Sequence, residues 1–155
     1  MKLDVAKKIR VLLADDNTQI RSRVAELLSP EFEIVGTAAN GEEACAAVSR
    51  LQPDVLVLDI VMPVLDGIQT ARRLKAVGCS TKIVFLSGME DQEYVEAAMA
   101  ANASGFVFKP QMVADLPCAI REAHHGRIFV STKQRIGMRP PAQTYKTMKH
   151  EVITN

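Results

Sequence analysis

The chain has 155 residues, 48% hydrophobic and 24% charged, with a formal net charge of +1. That is enough for one hydrophobic core but not two, and the near-neutral balance gives no global electrostatic reason to expect nucleic acid or a membrane surface as partner. No apolar run approaches the roughly 20 residues that a bilayer span requires, the start Met1–Lys8 has no apolar core for a signal peptide, and three cysteines without metal-ligand spacing read as reduced structural thiols of a cytosolic protein.

A strand is expected at about 9–14, followed by a helix that Asp16-Asn17-Thr18 can cap and that carries Ile20, Val24, Leu27 and Leu28 to a stop near Ser29-Pro30. Residues 31–38 read as a second strand. Asn40-Gly41-Glu42-Glu43 opens a second helix with acids in its first turn, where the helix dipole prefers them. The third strand covers 55–59, and a loop from Ile60 to Leu65 leads to a helix at about 66–77 closed by Gly78. The fourth strand is expected at 82–86, a helix at about 91–101, a fifth strand at 106–108 and a last helix at 113–125, ending at Gly126. Apolar runs of this kind, alternating with helical segments, are the pattern of a buried parallel sheet with helices on both faces.

Four of the runs end on polar residues. Asp15-Asp16 follows the first, Asp59 the third, Ser87 the fourth and Lys109 the fifth. Parallel strands bring all of these to the carboxyl edge of the sheet, the edge at which open α/β sheets bind ligands. A hard cation such as Mg²⁺ is held by one or two carboxylates and substrate phosphate oxygens. Asp16 and Asp59 can supply direct ligands, with Asp15 acting through water. Asp59 can serve as a nucleophile toward a phosphoryl donor, with Lys109 holding one phosphoryl oxygen and the Ser87 hydroxyl donating to another. Each residue has an ordinary reading in isolation: Asp15-Asp16 as a helix cap, Ser87-Gly88 as a turn, Lys109 as a surface lysine. Their joint occurrence is what argues for a site.

Asp15-Asp16, the run Asp59-Ile60-Val61-Met62-Pro63-Val64-Leu65-Asp66-Gly67, Ser87-Gly88 and Gly105-Phe106-Val107-Phe108-Lys109-Pro110 together resemble the receiver domain of two-component response regulators. The resemblance covers residues 8–130. It implies a flavodoxin-like (CheY-like) three-layer α/β fold with a five-stranded parallel sheet of order 2-1-3-4-5 and five helices. It implies a phosphoacceptor rather than an enzyme with an external substrate: Asp59 takes a phosphoryl group from a sensor histidine kinase or phosphotransfer protein. Mg²⁺ is then bound by Asp16, Asp59 and the backbone carbonyl of Val61, with Asp15 assisting. Lys109-Pro110 is expected to be cis. Ser87 and Phe106 match the family's switch pair, in which the hydroxyl turns to the phosphoryl group and the aromatic ring swings inward. Phe106 lacks the hydroxyl of the commoner Tyr. The output surface is expected on the fourth helix, fifth strand and fifth helix, with Met99, Phe106 and Val107 nearby, and serves a downstream protein or self-association. Val61 and Met89, both apolar, would flank the path of attacking water and slow self-hydrolysis.

Residues 131–155 carry Lys133, Arg135, Arg139, Lys146 and Lys149 against Glu151 and read as a flexible basic tail or linker. The end of the last helix and Gly126–Ser131 are similar to the NarL/FixJ subfamily, in which a helix-turn-helix domain follows. Residues 131–155 are too few for such a domain, so no direct DNA binding is expected. A stand-alone receiver, a truncated or remnant regulator, and a phosphotransfer relay are the three readings. A dehalogenase-type phosphatase would need an acid where Val61 stands, and a flavodoxin would not place Asp15-Asp16 against a flavin phosphate. The expected location is cytoplasmic.

Overall fold

The computed structural model describes residues 7–88 and 91–131. Strands β1 (Arg10–Ala14), β2 (Glu33–Ala38), β3 (Val55–Leu58), β4 (Lys82–Ser87), β5 (Gly105–Phe108) and β6 (Phe129–Val130) alternate with helices α1 (Thr18–Leu28), α2 (Gly41–Leu51), α3 (Gly67–Ala76), α4 (Gln92–Ala100) and α5 (Met112–His124). The strands form one parallel sheet in the order β2-β1-β3-β4-β5-β6. The expected order holds, and a sixth strand of two residues extends it. The basic tail beyond Ser131 and Met89 lie outside the described residues.

Side-chain alternation along the strands sorts the core into two halves. Leu12, Leu56, Leu58, Phe85, Phe106 and Phe108 face one side and pack against α2, α3 and α4 through Ala44, Val48, Ala71, Leu74, Val95 and Ala98. Val11, Leu13, Val55, Val57, Val84 and Val107 face the other and meet α1 and α5 through Val24, Leu28, Leu116 and Ile120. Helices on both faces explain why β3 reads as an unbroken apolar run, since every one of its four residues is buried. Asn17, Asn40 and Asp66 cap α1, α2 and α3, each accepting a backbone N–H of the first turn. Pro117 lies inside α5, a position the sequence pattern did not flag; the carbonyl it leaves unpaired belongs to the exposed Val113 and can be hydrated. Cys45, Cys79 and Cys118 are free and half-buried, and burial pushes the thiols of Cys45 and Cys118 up.

Two expectations change. Lys109–Pro110 is trans, because no described peptide bond is cis: Lys109–Gln111 winds into a turn of 3₁₀ helix with proline at its start, which suits the fixed φ of the ring. Phe106 and Val107 are fully buried and carry no surface. β5 is not an edge strand; β6 pairs with it, Gly105 opposite Phe129 and Phe106 opposite Val130. Ser131 then donates its N–H to the Phe106 carbonyl at 2.8 Å and its hydroxyl to Asp115 on α5 at 2.7 Å. The edge strand on this side of the sheet is therefore β6, and both of its residues are buried.

The loop between β3 and α3 decides how close α3 comes to the carboxyl edge. The Gly67 N–H donates to the Ile60 carbonyl at 2.7 Å, and a Cβ at Gly67 would lie 2.1 Å from the Asp59 carbonyl oxygen and 2.8 Å from Ile60 Cα. Both obstacles are backbone and cannot rotate away. Gly41, at the start of α2, meets the same loop, with the Leu65 carbonyl 2.3 Å from its would-be Cβ. Within the loop Leu65 N–H donates to Pro63 O at 2.8 Å across Val64, whose φ is +72°. This is a γ-turn of the rare, strained hand, built on a β-branched residue.

Gly67→Ala is expected to lower the unfolding free energy by about 1–3 kcal/mol, the range for forcing atoms into packed space. Val64→Gly is expected to raise it: Val64 is 74% exposed and loses little packing, and relief of about 1–2 kcal/mol of left-handed strain exceeds the about 0.5–1 kcal/mol that glycine adds in chain entropy. Urea denaturation of both variants checks the opposite signs.

Candidate acid cluster at the carboxyl edge

Asp15 and Asp59 each stand one residue beyond a buried strand, where the ladder ends and the helices have not begun. Asp15 N–H donates to Ala38 O at 3.0 Å, and Asp59 N–H donates to Ala14 O at 2.9 Å. The ends of β2, β1 and β3 are thereby tied in register, and the two acids come side by side. Asp15 is 5% exposed and Asp59 6%; Asp16 is exposed. Carboxylate oxygens of all three lie within 4.8 Å of one another. The turn is stiffened by Asn17, whose N–H donates to Asp15 Oδ1 at 2.8 Å.

Lys109, delivered by the end of β5, places Nζ 3.0 Å from Asp15 Oδ2 and 3.5 Å from Asp59 Oδ2. Asp15 Oδ2 is buried, and beyond the Lys109 ammonium it meets no further hydrogen-bond partner among the described residues. Burial works against the ammonium, but the two carboxylates outweigh it and raise the Lys109 pKa. For Asp59 the balance runs the other way. Burial first, and the charge of Asp15 second, lift its pKa from 3.8 to about 6 although Lys109 opposes them.

Ser87 is the last residue of β4, fully buried, and pairs with Phe108 next to Lys109. Phe106 lies inside the core, its ring centroid 6.3 Å from that of Phe85 and 5.6 Å from that of Phe108. It already occupies an inward position. Val61, two residues past Asp59, is 57% exposed. Asp15, Asp16, Asp59 and Lys109 thus converge, with Ser87 at the same edge, while Phe106 sits in the core. Sequence reasoning missed Arg21 of α1, whose guanidinium Nη1 donates to the Asp15 carbonyl oxygen at 2.5 Å. Its only signal was position: side chains in the first turns of a helix lean back toward the N-terminus.

Three carboxylates against one ammonium leave the cluster two charges negative. Within 4.8 Å and at an effective dielectric of about 20, each like-charged pair repels by at least about 3.5 kcal/mol. The donor set is entirely hard oxygen, one of its buried oxygens has no partner beyond the Lys109 ammonium among the described residues, and the residual charge matches a divalent ion. These features fit Mg²⁺. A concavity of about 820 Å³ at the opposite, amino-terminal end of the sheet, lined among others by Cys45, Asp54, Arg73, Cys79 and Lys82, includes none of these acids.

Comparison with known proteins bears on the cluster. The response regulator receiver domain family matches residues 11–121. The transcriptional regulatory protein YvfU of Bacillus subtilis is 32% identical over 147 residues, covering 94% of this chain and 74% of its own. The nitrate/nitrite response regulator protein NarL of Escherichia coli K12 is 33% identical over 123 residues, covering 78% of this chain; this chain spans only 57% of that protein's length. The signal receiver domain of NarL from Mycobacterium tuberculosis superposes with a TM-score of 0.76 at 29% identity, covering 79% of this chain and 100% of that domain.

Asp59 gives the fold a pH dependence of known sign. Folded, it keeps its proton to about pH 6; unfolded, only to about 3.8. Between these values the folded state binds more protons, so stability falls as pH rises through that window and stays lower above it. In metal-free buffer Asp59→Asn is expected to be more stable than wild type at pH 7 by about 1–2 kcal/mol, the two-unit shift discounted for an open cluster. The advantage should vanish near pH 4. Urea titrations of both proteins from pH 4 to 7 test this, and parallel curves would contradict it.

Proposed function

The chain belongs to the response regulator receiver domain family, a family of signalling domains, and we propose that it works as a phosphoacceptor in which Asp59 takes a phosphoryl group from a histidine kinase or phosphotransfer protein. The observation that carries this reading is the meeting of a buried Asp59 with Asp15, Asp16 and Lys109 at one sheet edge. An Asp59 carboxylate oxygen bonds to phosphorus as the donor's phosphorus–nitrogen bond breaks, and the imidazole leaves. Lys109, raised in pKa and so reliably cationic, takes one phosphoryl oxygen. Ser87, one strand away at the same edge, donates its hydroxyl to another. Such donors, fixed before reaction, supply most of the stabilisation in phosphoryl transfer.

Asp16, Asp59 and the backbone carbonyl of Val61 would hold Mg²⁺, with Asp15 acting through water. When bound, the ion neutralises the carboxylates and the incoming phosphoryl oxygens. Asp59 must be ionised to react, and the burial and repulsion that lift its pKa are relieved by the same neutralisation.

Ser87 and Phe106 form the switch in this reading. Phe106 has no hydroxyl to bond, so its inward packing rests on Phe85 and Phe108, and the phosphorylated state is selected by Ser87 alone. The surface between α4 and α5, with β6 as its strand, is where a downstream protein or a second copy would bind. Residues 8–130 act as the receiver, residues 131–155 as a basic extension, and the domain works in the cytoplasm where kinases are charged. Val61, apolar and exposed beside Asp59, retards water attack on the phosphoryl group.

Incubation with acetyl phosphate and Mg²⁺ is expected to add phosphoryl mass to wild type and none to Asp59→Asn, read by intact mass spectrometry. Lys109→Ala and Ser87→Ala should each slow the labelling by roughly 100-fold, the usual effect of removing one preorganised donor. A folded wild type that gains no mass sinks the proposal.

A further inference from the structure

The two acids of the β1–α1 turn are joined by one peptide group, and its carbonyl is the Asp15 oxygen gripped by Arg21. Nη1 donates to that oxygen at 2.5 Å, while Nη2 is steadied by the Thr18 hydroxyl at 3.3 Å. The rest of the turn is fixed by other bonds: Asp15 N–H to Ala38 O, Asn17 N–H to Asp15 Oδ1, and Arg21 N–H to Asn17 O. These hold the two ends of the turn. The orientation of the peptide between Asp15 and Asp16 is set by the guanidinium. Asp16 is exposed, so its carboxylate takes its place from its backbone.

From this arrangement we infer that Arg21 is a positioning residue for the metal site: by fixing the Asp15–Asp16 peptide plane it sets the spacing of the two carboxylates, without touching the ion. The inference rests on the metal-site reading given under the proposed function. Its action is geometric. The charges that bear on Asp59 are those of Asp15 and Lys109, whereas Arg21 spends its donors on a backbone carbonyl and a hydroxyl. A planar fork anchored at two points loses little freedom on bonding, which suits it to hold a peptide plane. Groups that orient ligands without binding metal commonly change affinity by 10- to 100-fold when removed.

The test is calorimetric titration of the full chain with MgCl₂ alone. Wild type is expected to bind. Arg21→Met keeps the apolar stem but has no donor, and should bind about 10-fold more weakly. Arg21→Lys keeps one donor and should recover to within about threefold of wild type, a rescue that a purely packing role would not produce. Arg121→Met, which removes an exposed pair with Glu31 on α5, should leave the affinity unchanged. If Arg21→Met does not fold, Arg21→Gln, too short to reach the carbonyl, replaces it with the same expected loss. A donor-less variant that binds like wild type overturns the inference alone, and so does a lysine variant as weak as the methionine one. Wild type that takes up no Mg²⁺ overturns the metal-site reading and this inference with it.

Discussion

A single ammonium, that of Lys109, stands 3.0 Å from Asp15 and 3.5 Å from Asp59, and much of the chain is arranged around the charge it leaves unbalanced. Burial at the strand ends strengthens every interaction there, attractive and repulsive alike. Asp59 feels both burial and Asp15, and holds its proton far above the usual carboxylate range. A carboxyl in that condition still keeps much of its proton at about pH 6. The fold thus tolerates a local electrostatic instability at this edge of the sheet.

The scaffold is rigid where this tension has to be contained. β1, β3 and β4 are buried strands inside the sheet, and backbone bonds that run past the last ladder residues tie together the carboxyl ends of β2, β1 and β3. α3 is drawn in at Gly67 until only a hydrogen atom fits between helix and strand. The remaining slack is taken up by Val64 in a left-handed turn. Strain of this kind persists only where surrounding structure over-determines it, and here the capping box of Asp66 with Gln69 follows two residues later.

Alternating apolar strands and helix caps made the layer structure, the strand order and the convergence of Asp15, Asp16, Asp59, Ser87 and Lys109 legible in the sequence, because each of those depends on local pattern and parallel connectivity alone. What was not legible depends on tertiary context. Phe129-Val130 is too short to announce a strand, and it pairs only because β5 offers an open edge. Missing it made β5 look like a border and gave it the place in the output surface that β6 takes. The trans Lys109–Pro110 bond follows from a 3₁₀ turn that no residue pattern specified. Val64 gave no hint of its φ, since β-branched residues avoid it. Arg21 looked like one more charge on the solvent face of a helix, and only the fold shows that it reaches back to the peptide joining the two acids.

Sheet borders invite other chains, because an edge strand shows a row of unpaired N–H and C=O groups. β5, with all four residues buried, would be an apolar template of that kind. β6 takes the position instead and is only two residues long, with Ser131 sealed to Phe106 and Asp115 beyond it. The opposite border is blunted differently: β2 exposes Glu33 and Thr37, and its pairing with β1 slips in register between Val11 and Leu12. Among the described residues neither side presents a long flat ladder, a shape that resists growth by strand addition, the route by which buried parallel sheets seed fibres.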